Sequence, residues 1–288
     1  FAISSLPVWL QSAEITQLYF SMKTFLACLM LSLLIACSSQ PQTEEAGKQP
    51  PAEQTATTPK PNVPKPLDVD TLKPSELPAE IAVRGRAQLG LRWEDANGQN
   101  LLVESLVPPY DEKLPDRDGM LGQSSQLIAK QYVRRDTGWA VLWDIADAIR
   151  HCEFDITLQF LGRPTVTDLD NNGITETTIL YKLACRSDVS PASMKLLMHE
   201  NNRKFALRGI MFIDYSGLSD EATNNRPLPT ESDICCLDDL DQTAIETNGE
   251  YWKMDGKYAN ARDFQNAPDQ FLQHARKLWL QHVIERFQ

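Results

Sequence analysis

Apolar and polar positions alternate along most of the chain between residues 86 and 212. Arg86-Ala-Gln-Leu-Gly-Leu-Arg-Trp93 alternates, Asn97-Gly98 supplies a tight turn, and Leu101-Leu-Val-Glu-Ser-Leu-Val107 returns. That pattern predicts a β-hairpin. Segments 125–134, 154–161, 177–183, 194–199 and 204–212 read as further strands, with turns at Asp136-Thr-Gly138 and Asn201-Asn202. Segment 139–149 is ambiguous: Trp139, Leu142, Trp143, Ile145, Ala146 and Ile149 sit at helical spacing, yet a strand is also compatible. Near the C-terminus the period changes. Pro268 opens a run in which Phe271, Leu272, Ala275, Leu278, Trp279, Val283 and Phe287 recur at three- and four-residue steps. This predicts an amphipathic helix that starts at a proline and packs its apolar stripe on the sheet. The expected class is α+β, a mainly antiparallel β-sheet domain over 81–288 with a C-terminal amphipathic helix. No repeat of solenoid or propeller period is evident.

The region before this domain follows a different pattern. The first Met is Met22, followed by Lys23 and an apolar run over 25–35. A basic start, about ten apolar residues and a small residue at the exit describe a secretory signal peptide over 22–36. The run is shorter than the roughly 20 residues that a transmembrane helix needs. Residues 1–21 are expected to be an upstream extension of the reading frame. Between Ser38 and Glu80 the chain has 9 of its 18 prolines and no aromatic residue. Such a stretch cannot bury enough apolar surface to offset its ordering entropy, so 37–80 is expected to be a disordered, Pro-rich tether.

The signal run ends in Leu34-Ile35-Ala36-Cys37-Ser38-Ser39. This resembles the lipobox of bacterial lipoproteins. The resemblance implies that the Cys37 thiol carries a diacylglycerol, that the chain is cut before it, and that the new amine carries an N-acyl lipid. Ser38, standing where an Asp would signal retention, resembles an outer-membrane address. The expected location is therefore the outer membrane, lipid-anchored and facing the periplasm or the surface. Several acyl chains hold stably, since each buried CH₂ contributes about 0.8 kcal/mol.

Composition narrows the partners. Of 288 residues, 28 are Lys or Arg and 39 are Asp or Glu, a net charge of −11. An acidic chain is poorly suited to nucleic acid, which is bound by cationic side chains that displace counterions from phosphates. Membrane contact is expected through the lipid, and envelope polysaccharide or envelope proteins are the expected further partners.

One stretch carries a recognisable chemistry. In Asp168-Leu-Asp170-Asn-Asn172-Gly-Ile174-Thr-Glu176, oxygen side chains fall at loop positions 1, 3, 5 and 9. Gly173 at position 6 permits a sharp bend, and Ile174 at position 7 could offer its backbone carbonyl. Ca²⁺ takes six to eight hard oxygen ligands in a flexible shell, and this spacing supplies them. Three carboxylates about one centre would repel each other without a cation. The loop departs from an EF-hand, because position 12 is Ile179 instead of a bidentate Glu and extended segments flank it. It is similar to the strand-joining D-x-D-x-[DN]-G-x-x-[DE] loops of integrin-type propellers, but one copy implies no propeller. The alternative is an acidic Asn-Gly turn that stays solvated.

The block from Cys152 to Gly209, with "VTDLDNNGITETTILYK", "CRSDVSPASMKLLMHE" and "KFALRG", is similar to bacterial surface proteins associated with surface polysaccharide biosynthesis. That resemblance implies a process and brings no catalytic residues. Arg186 and Asp188 are read as an Asx turn and surface ion pairs rather than as a sugar or anion site.

With Cys28 in the signal and Cys37 acylated, Cys152, Cys185, Cys235 and Cys236 remain for disulfides in an oxidising compartment. Four cysteines allow three connectivities. A vicinal Cys235–Cys236 bond would be strained, so each is expected to pair elsewhere or one to stay free. The seven carboxylates between Glu231 and Glu250 read as a solvated acidic loop. The chain has no G-x-S-x-G, H-E-x-x-H, P-loop or G-x-G-x-x-G motif. The favoured function is a non-enzymatic envelope lipoprotein with a calcium-binding loop and a role in surface polysaccharide biosynthesis or organisation. The alternatives are an envelope glycan hydrolase, for which paired carboxylates are the usual machinery, and a structural protein-interaction module.

Overall fold

A computed structural model describes residues 67–115, 117–217 and 226–286. All of them belong to one unit, Lys60–Gln288. The expectations for the upstream extension, the signal peptide, Cys37 and the tether as far as residue 66 lie outside the described residues.

The alternating segments form two antiparallel sheets. The first has five strands in chain order: β1 (Asp70–Leu72), β2 (Arg86–Asp95), β3 (Gly98–Lys113), β4 (Leu121–Arg135) and β5 (Gly138–Cys152). The second comprises β6 (Asp155–Phe160), β7 (Thr165–Thr167), β8 (Glu176–Arg186), β9 (Ser193–Glu200) and β10 (Arg203–Ile210). Its order is β10-β9-β8-β6, and β7 also pairs with β8. β6 takes the 181–186 end of β8 and β7 takes the 176–178 end. Two short strands, β11 (Phe212–Asp214) and β12 (Ile284–Arg286), pair in parallel. The helices are α1 (Gln242–Asn248) and α2 (Asp269–His282), the second with Pro268 at its N-cap, as the periodicity predicts.

The period of two explains the layering. On the first sheet Leu91, Leu102, Leu127, Ala129, Trp143 and Ile145 face inward, and on the second Leu158, Ile179, Tyr181, Leu197 and Ala206 meet them in one core. Leu180, Met194, Leu196, Met198, Phe205 and Leu207 alternate to the other face of the second sheet, where Phe271, Ala275, Leu278 and Trp279 of α2 cover them. Trp279 is fully buried, stacks edge-on against Tyr258, and donates from its indole Nε1 to the Gly256 carbonyl at 2.9 Å.

Segment 139–149 resolves as strand, and the pairing shows why its spacing looks helical. Gln131 faces Trp143, but the next residue, Tyr132, faces Val141, so Leu142 is an extra residue. This bulge flips the alternation. Trp143 therefore joins the core between the sheets, while Trp139, four residues earlier, packs on the outer face.

The ordered fold begins earlier than the composition suggests. Residues 67–80, assigned to the tether, contain β1 and a 3-10 turn at Pro74–Glu76. Leu72, Leu77 and Ile81 pack on Leu101, Val103 and Tyr132. A few apolar residues suffice here because the sheet already offers an apolar face. The acidic stretch after Glu231 also carries structure: Asp241 caps α1, its side chain accepting from Ala244 N–H at 3.0 Å. Arg186 is not a surface residue. With Lys182 it holds the buried Glu285 carboxylate, at 2.8 and 2.9 Å, which fastens β12 to β8. Asp188 forms the expected Asx turn with Ser190.

One disulfide joins the ends of β5 and β8. Cys152 and Cys185 have Cα atoms 5.7 Å apart and an S–S distance of 2.05 Å. The sulfurs of Cys235 and Cys236 lie against each other, where the expectation was that each pairs elsewhere or one stays free. Cys152 and Cys185 satisfy one another across the sheets.

Candidate metal centre

The acidic loop is the 168–175 connection of the β7–β8 hairpin. Thr167 pairs with Glu176 at its base, and Glu176 in turn faces Glu200 on β9. Two residues take positive φ to close it, Asn171 at 58° and Gly173 at 81°. Asn and Gly are the residues that tolerate this region best. The loop is also tied to the first sheet. Asp95 accepts from the Thr175 hydroxyl at 2.7 Å and its backbone N–H at 3.1 Å, while Trp93 Nε1 donates to the Thr175 hydroxyl. Ala96 N–H donates to the Gly173 carbonyl. Asp95 continues through Asn100 to Gln131, whose carbonyl oxygen accepts from Trp143 and Thr177. A buried polar network with every bond made rigidifies what it touches, so the loop is mounted on both sheets.

Asp168, Asp170 and Glu176 each bring one carboxylate oxygen within 4.8 Å of the others. Two ligands on opposite sides of one Ca²⁺, each about 2.4 Å away, stand about 4.8 Å apart. The group can therefore surround a single ion. Among the described residues it is the one cluster of three such groups.

The hydrogen bonds divide the Glu176 and Asp168 carboxylates each into a held oxygen and an available one, whereas both Asp170 oxygens accept from Asn172, Oδ1 from its backbone N–H at 3.2 Å and Oδ2 from its side-chain nitrogen at 3.0 Å. Glu176 is fully buried, and its Oε2 accepts from Thr167 Oγ1 at 3.0 Å and Leu169 N–H at 2.9 Å. Its Oε1 is buried without a partner. Asp168 Oδ2 accepts from Gly173 N–H at 3.1 Å, and its buried Oδ1 has none. Buried polar atoms are nearly always satisfied, so two orphan oxygens in one cluster need an explanation. Burial is the main reason the Glu176 carboxyl is pushed up to about 7; the Leu169 and Thr167 bonds oppose it, and the Asp170 charge adds to it.

Of the other residues in the predicted loop, Asn172 acts as a brace. Its side-chain nitrogen bridges Asp170 at 3.0 Å and Glu200 at 2.7 Å, and its oxygen accepts from Ile174 N–H at 2.7 Å. Glu200, buried and also held by Arg203 at 3.1 Å, is a fourth carboxylate beside the loop. No spacing rule reaches it, since it lies 24 residues beyond Glu176 and arrives only through strand pairing.

This donor set is all hard oxygen. It suits a cation that orders a loop. No known protein family, curated protein or solved structure matches the chain. No helix among the described residues is long and apolar enough to cross a membrane.

Proposed function

We propose that this chain is a non-enzymatic lipoprotein of the cell envelope, held to the outer membrane through acylated Cys37, whose β-sandwich is locked by one Ca²⁺ in the 168–176 loop. Its role on this reading is to bind or organise surface polysaccharide. The observation that carries the metal assignment is the pair of buried, unpartnered oxygens, Asp168 Oδ1 and Glu176 Oε1, within the three-carboxylate cluster. The envelope assignment is supported by the Leu34–Cys37 pattern, and the polysaccharide role by the resemblance of the 152–209 block.

Calorimetric titration of CaCl₂ into the EDTA-stripped mature chain tests it. One Ca²⁺ per chain should bind, more tightly than Mg²⁺, with at least tenfold weakening in both Asp168→Asn and Glu176→Gln. Absence of binding heat together with an unmoved melting temperature at millimolar Ca²⁺ overturns the metal centre. A glycan array separates a polysaccharide binder from a protein-interaction module, and release of soluble sugar from peptidoglycan or capsule would instead establish a hydrolase.

A further inference from the structure

A second site lies between the sheets, away from the acidic loop. β3 places Glu104 in an inward row, Leu89–Glu104–Ala129–Ile145, whose other members belong to the core. Glu104 is 3% exposed. Among the described residues it has no hydrogen bond and no ion pair. It lines a cavity of about 430 Å³, walled by Leu89, Leu106, Leu158 and Phe160 and carrying Arg163 as its other charged residue. Arg163 is anchored through its guanidinium, which donates to the Val69 carbonyl at 3.2 Å.

Stability gives no reason to keep a carboxyl here. The neighbouring inward positions on β3 are Leu102 and Leu106, and an isolated buried carboxyl costs free energy that a Leu would not. Mostly apolar concavities of 300–1,000 Å³ with a few convergent polar groups are the usual form of small-molecule sites. We propose that this cleft binds a small ligand with an apolar body and a protonated primary amine, the ammonium pairing with Glu104 and the body lying against Leu89, Leu106, Leu158 and Phe160. An ammonium supplies the donors that Glu104 lacks, and a charge-assisted bond is roughly twice as strong as a neutral one. Arg163 disfavours a second cationic group on the ligand and favours a neutral or anionic far end.

The pairing has a proton signature. Burial pushes the Glu104 carboxyl up to about 8, so at pH 7 it is mostly protonated. An ammonium ligand displaces that proton, which leaves to buffer as the ion pair forms. The test is calorimetry on the mature chain at pH 7 with hexylammonium and phenethylammonium chlorides and with hexan-1-ol, each in HEPES and in PIPES. The expected result is 1:1 amine binding at least tenfold tighter than the alcohol, with nearly one proton released per amine. Glu104→Gln should melt no lower than the wild type, lose the proton release and weaken amine binding at least tenfold. If that variant does not fold, the Glu104 side-chain carboxyl ¹³C shift in the wild type decides, since either amine should lower its titration midpoint by at least one pH unit. No amine binding, equal binding of the alcohol, or an unmoved Glu104 midpoint overturns the proposal. None of these outcomes depends on Ca²⁺ binding at the acidic loop.

Discussion

His199 shows how one buried residue sets a pH response. It stacks on Trp143 with ring centroids 4.1 Å apart and planes 11° from parallel, and its Nδ1 has no partner. Burial, reinforced by the Lys204 charge, depresses its titration to about 4. In the unfolded chain a histidine titrates near 6.5. The unfolded state therefore takes up more protons between these values, so the His199 contribution to stability is complete above about pH 6.5 and is lost as the pH falls toward 4. Glu104, shifted upward, acts in the opposite sense, and only a difference measurement isolates His199. The urea midpoint of wild type minus that of His199→Gln should be constant above pH 7 and shrink steadily from pH 6.5 to 4.5. Gly209 is constrained for another reason. A Cβ there would lie 2.0 Å from the Lys257 carbonyl oxygen and 2.5 Å from the Tyr258 Cα. Backbone cannot yield as a side-chain tip can, so Gly209→Ala should cost about 1–3 kcal/mol or more in chemical denaturation, the range of overpacking.

Among the elements, β5 and β8 are joined twice, by core packing and by the Cys152–Cys185 bond. The bond closes a loop of 33 residues. By the chain-entropy relation that closure contributes about 3–4 kcal/mol, acting on the unfolded state. The double variant Cys152→Ala/Cys185→Ala should lose an amount of that order in urea denaturation while keeping its far-UV spectrum. α2 stabilises the opposite face. Truncating Trp279 to Ala removes a fully buried indole and its bond to Gly256, and should cost about 3–5 kcal/mol. The strands and α2 were legible because their faces are one-sided, which imprints a period of 2 or 3.6 on the sequence. Segment 139–149 was not, because a bulge residue at Leu142 inserts a phase shift that mimics a helical step. β1 was not legible because the scattered apolar residues Leu67, Val69, Leu72 and Leu77 of a Pro-rich stretch carry no helical or clean strand period, and they find an apolar face only once the sheet exists.

At the scale of the whole molecule, the proposed ion and anchor each predict a bulk behaviour. A ligand present at 100 times its dissociation constant stabilises the folded state by about 2.7 kcal/mol, so calcium should raise the melting temperature and EDTA should reverse it. Replacing Cys37 by Ser should move the chain from the membrane fraction to the soluble one, with mass spectrometry showing loss of the acyl masses. Asp168, Asp170, Asn172 and Gly173 were readable as an ion loop since one turn of backbone brings them together, and their spacing is a local property. By itself, the order of residues determined the antiparallel class, the terminal amphipathic helix and the candidate ligand loop, because each depends on contacts between near neighbours in the chain. Tertiary structure alone decided that Cys152 pairs with Cys185, that Glu200 stands beside Glu176, and that Glu104 lines a cleft with no partner among the described residues. Those facts depend on strand register and on the apposition of two sheets, where a shift of one residue sends every side chain to the other face.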